Sequence, residues 1–445
     1  MADVPFVDFA FPATGASTNR TMPDRLAEEK NVLDYGADPS LTNDSTAAFQ
    51  AAVDAAMDSG SGVFVPIGNY KVSDSGSGSA ILLNRDADFG FYMRGVGGSA
   101  IYSSDCPGYI IDRSLATPNN TIGPRVFENL AFSNNTAAPN NTGGGLRVGS
   151  STGVVIRSCN FGGTGTGLTT EDSPGNSSQN IVIDTCNFGG SGLASIGLVL
   201  GGTGSMTCSD FNGIGRAAVI YGKGISLNAN RCERCDTAFQ LGVDAEGTNR
   251  GLHGFSMVAE EMEGVVNFVD FMGTVTAFSI SAVGCLGHVA LNSGLDGFNQ
   301  LGQYGFRIRP NTAYFGEISC SGGSETFDVG VIYMEDYADP KRSFVTFSNC
   351  NPRVSVGAGV PWRIPADSAW PRFIECQGIG SDTDAPYGTR YEYDALPTGD
   401  DVREGDEFDI SDGNSSTIGA SVTAGGGANR IKVRWNGTNW ICLPG

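Results

Sequence analysis

Three observations predict an all-β chain wound as a single-stranded parallel β-helix. A local frame recurs at intervals mostly of 22–30 residues, each unit holds two or three short alternating runs, and turns rich in Gly, Asn and Ser separate them. Glycine supplies 64 of the 445 residues, about twice its usual ~7 % share, without the every-third-residue period of collagen. Hydrophobic residues are 40 % and charged residues 17 %, so a sizeable core is available and the surface leans on Asn, Ser, Thr and Gly. A net charge of −21 excludes a role dominated by binding nucleic-acid phosphates, which needs a basic footprint. His253 and His288 are the only histidines, which leaves little for His-rich metal sites or Ser/His/Asp catalysis. No metal and no cofactor is expected. No apolar run approaches the ~20 residues of a membrane span, so membrane insertion is not expected. The opening, MADVPFVDFAFPATG, has no basic region and carries Asp3 and Asp8 early, so it does not read as a signal peptide. Eleven cysteines in such a chain are expected to be mostly reduced and buried.

The first element of the coil is a short strand over Val32–Tyr35. A turn then leads to Asp44 and Ser45, an N-cap for a helix over about 45–58 that places Phe49, Val53, Ala56 and Met57 on one face and stops at Ser59-Gly60. Strands at Val63–Val65 and Tyr70–Val72 follow. A β-helix end exposes core and unpaired backbone, so the helix reads as its cap.

The middle of the chain repeats. Cys159, Cys186, Cys208, Cys232, Met262, Cys285, Cys320, Cys350 and Cys376 mark the frame, most with an apolar residue three places earlier. Coils stacked at about 4.8 Å put equal positions in columns, so these residues are expected to form an inward ladder of buried sulfur. Asn160 and Asn187 are expected to form a short asparagine ladder beside it. Cys232 and Cys235 make a C-x-x-C, for which core packing outweighs redox or zinc chemistry because no second pair accompanies it. The β-helix is expected over 31–390, in roughly ten coils.

After about residue 390 the frame stops, and 391–445 reads as a small antiparallel β unit. Asn436-Gly437 between Ile431–Trp435 and Thr438–Cys442 predicts a two-residue hairpin turn, with Val433 opposite Trp440 and Trp435 beside Thr438. The two tryptophans are either a hydrophobic hairpin face or a sugar-stacking platform.

The N-terminal motifs resemble those of the pectate-lyase-like superfamily of right-handed β-helices. They are Val32-Leu33-Asp34-Tyr35-Gly36-Ala37, then Asp44-Ser45-Thr46-Ala47-Ala48-Phe49, then Val63-Phe64-Val65-Pro66-Ile67-Gly68-Asn69-Tyr70. Upstream, the stretch with Gly15, Arg20, Thr21, Asp24 and Arg25 resembles the segment before the β-helix in bacteriophage tailspike proteins. The resemblance implies a homotrimer on the virion tail that acts outside the host. It also implies an attachment segment over 1–30 that binds phage tail or adaptor proteins, and a shaft that binds and often cleaves bacterial surface polysaccharide such as O-antigen or capsule. A non-catalytic adhesin of the same fold and a secreted polysaccharide lyase or hydrolase remain the alternatives.

Cleavage by hydrolysis needs two carboxylates across a groove. Glu233 follows Cys232 and Glu263 follows Met262, so the two share a column one coil apart, near the 4.8 Å stacking distance. Like charges that close raise one pKa, as an acid–nucleophile pair requires. Glu260 and Asp236 complete the candidate cluster; a solvated acidic face and cation binding are its other readings. The insertion DAEGTNRGLHG (244–254) is expected to arch over a groove. Glu171-Asp172, Glu335-Asp336 and Glu325 with Asp328 are weaker candidates on loops. Carbohydrate contacts are expected from Trp435, Trp440, Arg307 and Arg309. Polygalacturonase chemistry is disfavoured because Asp400-Asp401 and Arg430-Ile431-Lys432 fall in the C-terminal unit, out of that family's order.

Overall fold

The structure is a computed structural model. It describes residues 10–11, 20–21, 29–83, 90–113, 124–135, 143–149, 151–173, 176–190, 194–258, 261–263, 265, 267–283, 285–286, 304–309, 312–321, 330–334, 345–348, 360–363, 372–374, 407–423, 427 and 429–443.

Within the coil the chain makes three strands per turn. Val154–Arg157 lies on a first face, Asn160–Gly163 on a second and Thr166–Thr169 on a third, and each pairs in parallel with its equivalents one coil before and after. The second face is a separate ten-stranded sheet. The first and third faces merge into one 23-stranded sheet. The merger arises where Ile196–Thr207 and Arg216–Asn228 run unbroken from the third face of one coil to the first face of the next. Gly202 and Gly222 make the bend at φ 101° and 119°, and a side chain at Gly202 would collide with the Ser178 carbonyl. Only glycine fits such a corner.

The capping helix runs Thr46–Ser59 and buries Ala48, Phe49, Ala52, Val53, Ala56 and Met57 against the same core as Val63, Val65 and Ile81. The Phe49 and Tyr70 rings meet edge-on at 5.4 Å. Gly60, in the left-handed region at φ 64°, ends the helix with its N–H on the Ala56 carbonyl. At the start, Asp44 Oδ1 accepts from the Thr46 N–H at 2.7 Å, while the Ser45 hydroxyl accepts from the Asp38 N–H at 2.9 Å. Val32–Tyr35 is a 3₁₀ turn rather than the expected strand; the strand precedes it at Glu29–Asn31. The Asn31 side chain accepts from the Leu33 N–H and holds that turn.

The corner between first and second faces is a single left-handed residue per coil: Asn129, Ser158, Thr185, Cys208 and Ala229, at φ 49–57°. Each of these N–H groups still donates to a carbonyl of the next coil, for example Ser158 to Asp184 at 3.0 Å and Cys208 to Asn228 at 3.1 Å. The unbroken ladder offsets the roughly 1–2 kcal/mol a left-handed L-residue costs. This corner corrects the expected sulfur ladder. Cys159 and Cys186 share one buried column, but Cys208 occupies the corner and is exposed. Cys232 belongs to another column, Phe132–Phe161–Phe188–Phe211–Cys232–Met262–Cys285, fixed by strand register. The four phenylalanines stack with centroids 5.4, 5.0 and 4.6 Å apart. Asn187 donates to Asn160 Oδ1 at 2.8 Å, the expected asparagine pair.

In the C-terminal unit a four-stranded antiparallel sheet buries Ile410, Val422, Val433, Trp440 and Cys442. Its hairpin register differs from expectation. Trp435 pairs with Trp440 and Val433 with Cys442, so the loop is Asn436–Asn439. The cause is local: Asn436 Oδ1 accepts from the Thr438 and Asn439 N–H groups at 3.0 and 2.8 Å, which builds a side-chain turn in place of the tight Asn-Gly turn.

Candidate functional site

Register sets Glu233 opposite Glu263 on the second face, as the column argument requires. The Glu233 carboxylate meets Arg231 at 3.1 Å and Arg234 at 3.3 Å, and accepts from Asn212 Nδ2 at 3.1 Å. Glu260, Glu325, Asp328, Glu335 and Asp336 lie outside the described residues. Asp236 is half-buried at the corner between second and third faces; burial pushes its pKa up, the Thr237 hydroxyl opposes this and Asp270 adds to it.

Arg307 and Arg309 fall on the third face. Arg307 stands next to Asp270 in register, and Arg309 clasps Asp270 with two hydrogen bonds of 2.9 and 2.7 Å. Trp440, expected among the carbohydrate contacts, is a core residue only 3 % exposed. Trp435 packs on it at 5.2 Å and is half-buried.

A different constellation occupies the outer side of the third face. Register stacks Asp112, Arg147, Thr169, Val199, Val219, Gln240, Asp270 and Arg307 in one outward column. Arg147 binds Asp112 through Nε and Nη2 at 2.7 and 2.5 Å and lies over the Tyr109 ring at 4.7 Å. Val199 and Val219 point outward yet are buried. With Ile196, Tyr221 and Val243 they form a second small apolar core, against which Ala245 and Met272 pack. The cover is the 244–250 segment. Asp244, fully buried, accepts from the Thr248 N–H at 2.8 Å and pairs with Arg250 at 2.8 Å, while Arg216 donates to the Ala245 carbonyl at 3.0 Å. Burial alone would raise the Asp244 pKa, but Arg250 and Thr248 outweigh it and hold the group anionic.

Glu171 sits at the edge of this cover. It opens a short antiparallel hairpin, Glu171–Ser173 with Asn176–Ser177, that leaves the end of the third face. Its carboxylate accepts a hydrogen bond from the Tyr221 hydroxyl. The Tyr221 ring reaches it by crossing Gly201, its neighbour in register, where a Cβ would stand 2.5 Å from the ring. Glu171 is 7 % exposed, and among the described residues no arginine or lysine reaches it at ion-pair distance. Burial pushes its pKa up to about 7, helped by Glu246 and Asp244 and opposed by Arg250 and Arg147. A carboxyl that holds its proton near neutrality beside an exposed second carboxyl, Glu246, can donate a proton to a leaving group.

The sequence reading ranked this residue low because Glu171 stood on a loop, away from any column. A signal was present. Ile196–Leu200 and Ala217–Tyr221 are continuous apolar runs, whereas strands such as Phe91–Gly95 and Ile181–Asp184 alternate. Strands buried on both faces read that way. The cover over an outer face was therefore legible, although its partner Glu171 was not.

The family profile described as "Rhamnogalacturonase A/epimerase, pectate lyase-like" matches residues 30–78. No curated protein matches the chain. Among solved structures, a double mutant of the tailspike protein of E. coli bacteriophage HK620 aligns with TM-score 0.60 at 13 % identity, covering 86 % of this chain and 72 % of that one. The Azotobacter vinelandii mannuronan C-5 epimerase A-module aligns with TM-score 0.49 at 15 % identity, over 78 % of this chain and 96 % of that one. The catalytic unit of a thermostable alpha-1,3-glucanase from Streptomyces thermodiastaticus aligns with TM-score 0.48 at 14 % identity, over 79 % and 69 %. Strand register and structural likeness agree on the architecture: the chain is a parallel β-helix, and its residues 30–78 match the pectate-lyase-like profile.

Proposed function

We propose that the chain is a phage tailspike whose β-helix binds and cleaves a bacterial surface polysaccharide at the outer side of the third face. The observation that carries the cleavage is the buried Glu171 carboxyl under Tyr221, beside the exposed Glu246. Binding is supported by the same outward column, whose Arg147, Gln240 and Arg307, with the neighbouring Arg309, suit the hydroxyls and charges of a glycan strand. The likeness to the HK620 tailspike over most of the chain supports the shaft architecture. In this reading the chain works as a homotrimer on the virion tail, the 1–30 segment joins it to tail or adaptor proteins, and 391–445 forms a separate terminal unit. Glu233 with Glu263 is the competing carboxylate pair, and Trp435 the competing sugar contact at the terminal unit.

The test is a panel of purified O-antigens and capsules, scored for new reducing ends, for absorbance at ~235 nm and for binding. Reducing ends with binding support the proposal. Binding without cleavage reassigns the chain to a non-catalytic adhesin, and neither signal overturns the polysaccharide reading. A monomeric mass by light scattering would sink the trimer.

A further inference from the structure

We infer that Glu171 is the proton donor of a glycoside-hydrolysing centre and that Glu246, on the covering segment, is the carboxylate that activates water. This inference rests on the depolymerase reading above and names the groups that act in it.

The geometry separates the two carboxyls by role. Glu171 is 7 % exposed and is fixed by the Tyr221 hydroxyl, whose ring is itself held between Gly201 and the small outer core. Its side chain therefore has one orientation, as proton delivery to a single oxygen requires. Glu246 is exposed on the segment that Asp244 and Arg250 close, where water has access. The groups that face Glu171 come from four elements. Tyr221 comes from the adjoining third-face strand, Arg147 with Asp112 and Tyr109 from earlier coils, and Asp244, Glu246 and Arg250 from the cover. Arg216 approaches the cover from below. Arg147 and Arg250 are already occupied by Asp112 and Asp244, which leaves their charges largely spent before they reach Glu171.

The step balances without a cofactor. The glycosidic C–O bond breaks as its oxygen takes the proton from Glu171. A water oxygen bonds the anomeric carbon as its proton passes to Glu246. Exchange with solvent then reprotonates Glu171 and deprotonates Glu246, and the net reaction is addition of one water across one linkage.

The experiment uses the full-length protein on whichever polysaccharide of the panel it cleaves. Glu171→Gln is expected to lower the rate of reducing-end release by about 10²–10⁴-fold while binding to the same polysaccharide stays within about threefold. Glu246→Gln is expected to lose a comparable factor. Glu128→Gln, a carboxylate variant on the outer first face, should retain the wild-type rate. Measured well below the melting temperature at each pH, the wild-type kcat/KM should fall above about pH 7, while the residual rate of Glu171→Gln should lack that limb. If Glu171→Gln does not fold, that limb and the Glu246→Gln rate carry the test. Cleavage that survives Glu171→Gln, loss that follows Glu233→Gln instead, or products absorbing at ~235 nm would overturn the inference and leave the depolymerase reading standing. Binding without any cleavage by the wild type overturns both.

Discussion

Two carboxylates on the outside of the same β-helix have opposite surroundings. Glu233, on the second face, has Arg231, Arg234 and Asn212 around it as ion-pair and hydrogen-bond partners. Glu171, at the edge of the third face, is buried beneath the cover with Glu246 and Asp244 nearby, and burial first and these carboxylates second favour its neutral form. Column register brings side chains of like position close, but it does not set their charge. What decides is whether cations share the neighbourhood and whether anything keeps water away.

The comparison is sharpened most by removing the cover. Asp244→Ala would strand Arg250 and the Thr248 N–H, and breaking such a buried pair costs about 3 kcal/mol. The expected readout is faster hydrogen exchange at the Thr248 and Gly251 amides, with Glu171 drifting back towards an ordinary glutamate; unchanged exchange would show that the cover is held otherwise. The Asp244 carboxylate also ties the cover to pH. Its folded pKa is lowered, so its contribution is present above the usual aspartate value and is lost as pH falls through the folded one.

A nearly equal effect should come from Glu171 and run the other way with pH. Its folded pKa is raised to about 7, so the folded state holds the proton more tightly than the unfolded chain. The stability this confers is full below about pH 4 and is lost as pH rises to about 7. Glu171→Gln should therefore match wild type near pH 4 and exceed it by up to about 3 kcal/mol at pH 8 in denaturant titrations. Equal stability at both pH values would show that the carboxyl is not desolvated.

Smaller effects separate the contact from the cover. Tyr221→Phe keeps the ring over Gly201 but removes the donor to Glu171, at a cost of about 1 kcal/mol in thermal melts. A loss several times larger would mean that the phenol organises more than this pair. The smallest change is expected at the other site. Glu233→Gln should cost less than ~1 kcal/mol, and less still at high salt, because Arg231 and Arg234 are 40 % and 47 % exposed. A large, salt-independent loss there would erase the contrast between the two faces.

Much of the architecture was legible in the chain. The capping helix followed from Phe49, Val53, Ala56 and Met57 and from Gly60, because period and caps are local properties. The repeat was legible too, but its phase was not. Cys208 carries the same residue type as Cys159 yet occupies the left-handed corner, and Cys232 sits in the phenylalanine column. Coils differ in length, so counting from one cysteine to the next accumulates error, whereas hydrogen-bond register does not. The hairpin failed for a related reason: the Asn436 side chain competes for the N–H groups that the tight turn would leave free.

By itself the sequence determined the β-helix, its cap, the terminal β sheet and the alignment of Glu233 with Glu263, since these depend on residue type, period and spacing. Tertiary structure alone decided which carboxyl is buried and has its pKa raised. Glu171 and Tyr221 are fifty residues apart, and only coil stacking brings them together beneath a segment that lies farther along the chain. Protonation depends on solvent and charge in three dimensions, and no window of sequence holds that information.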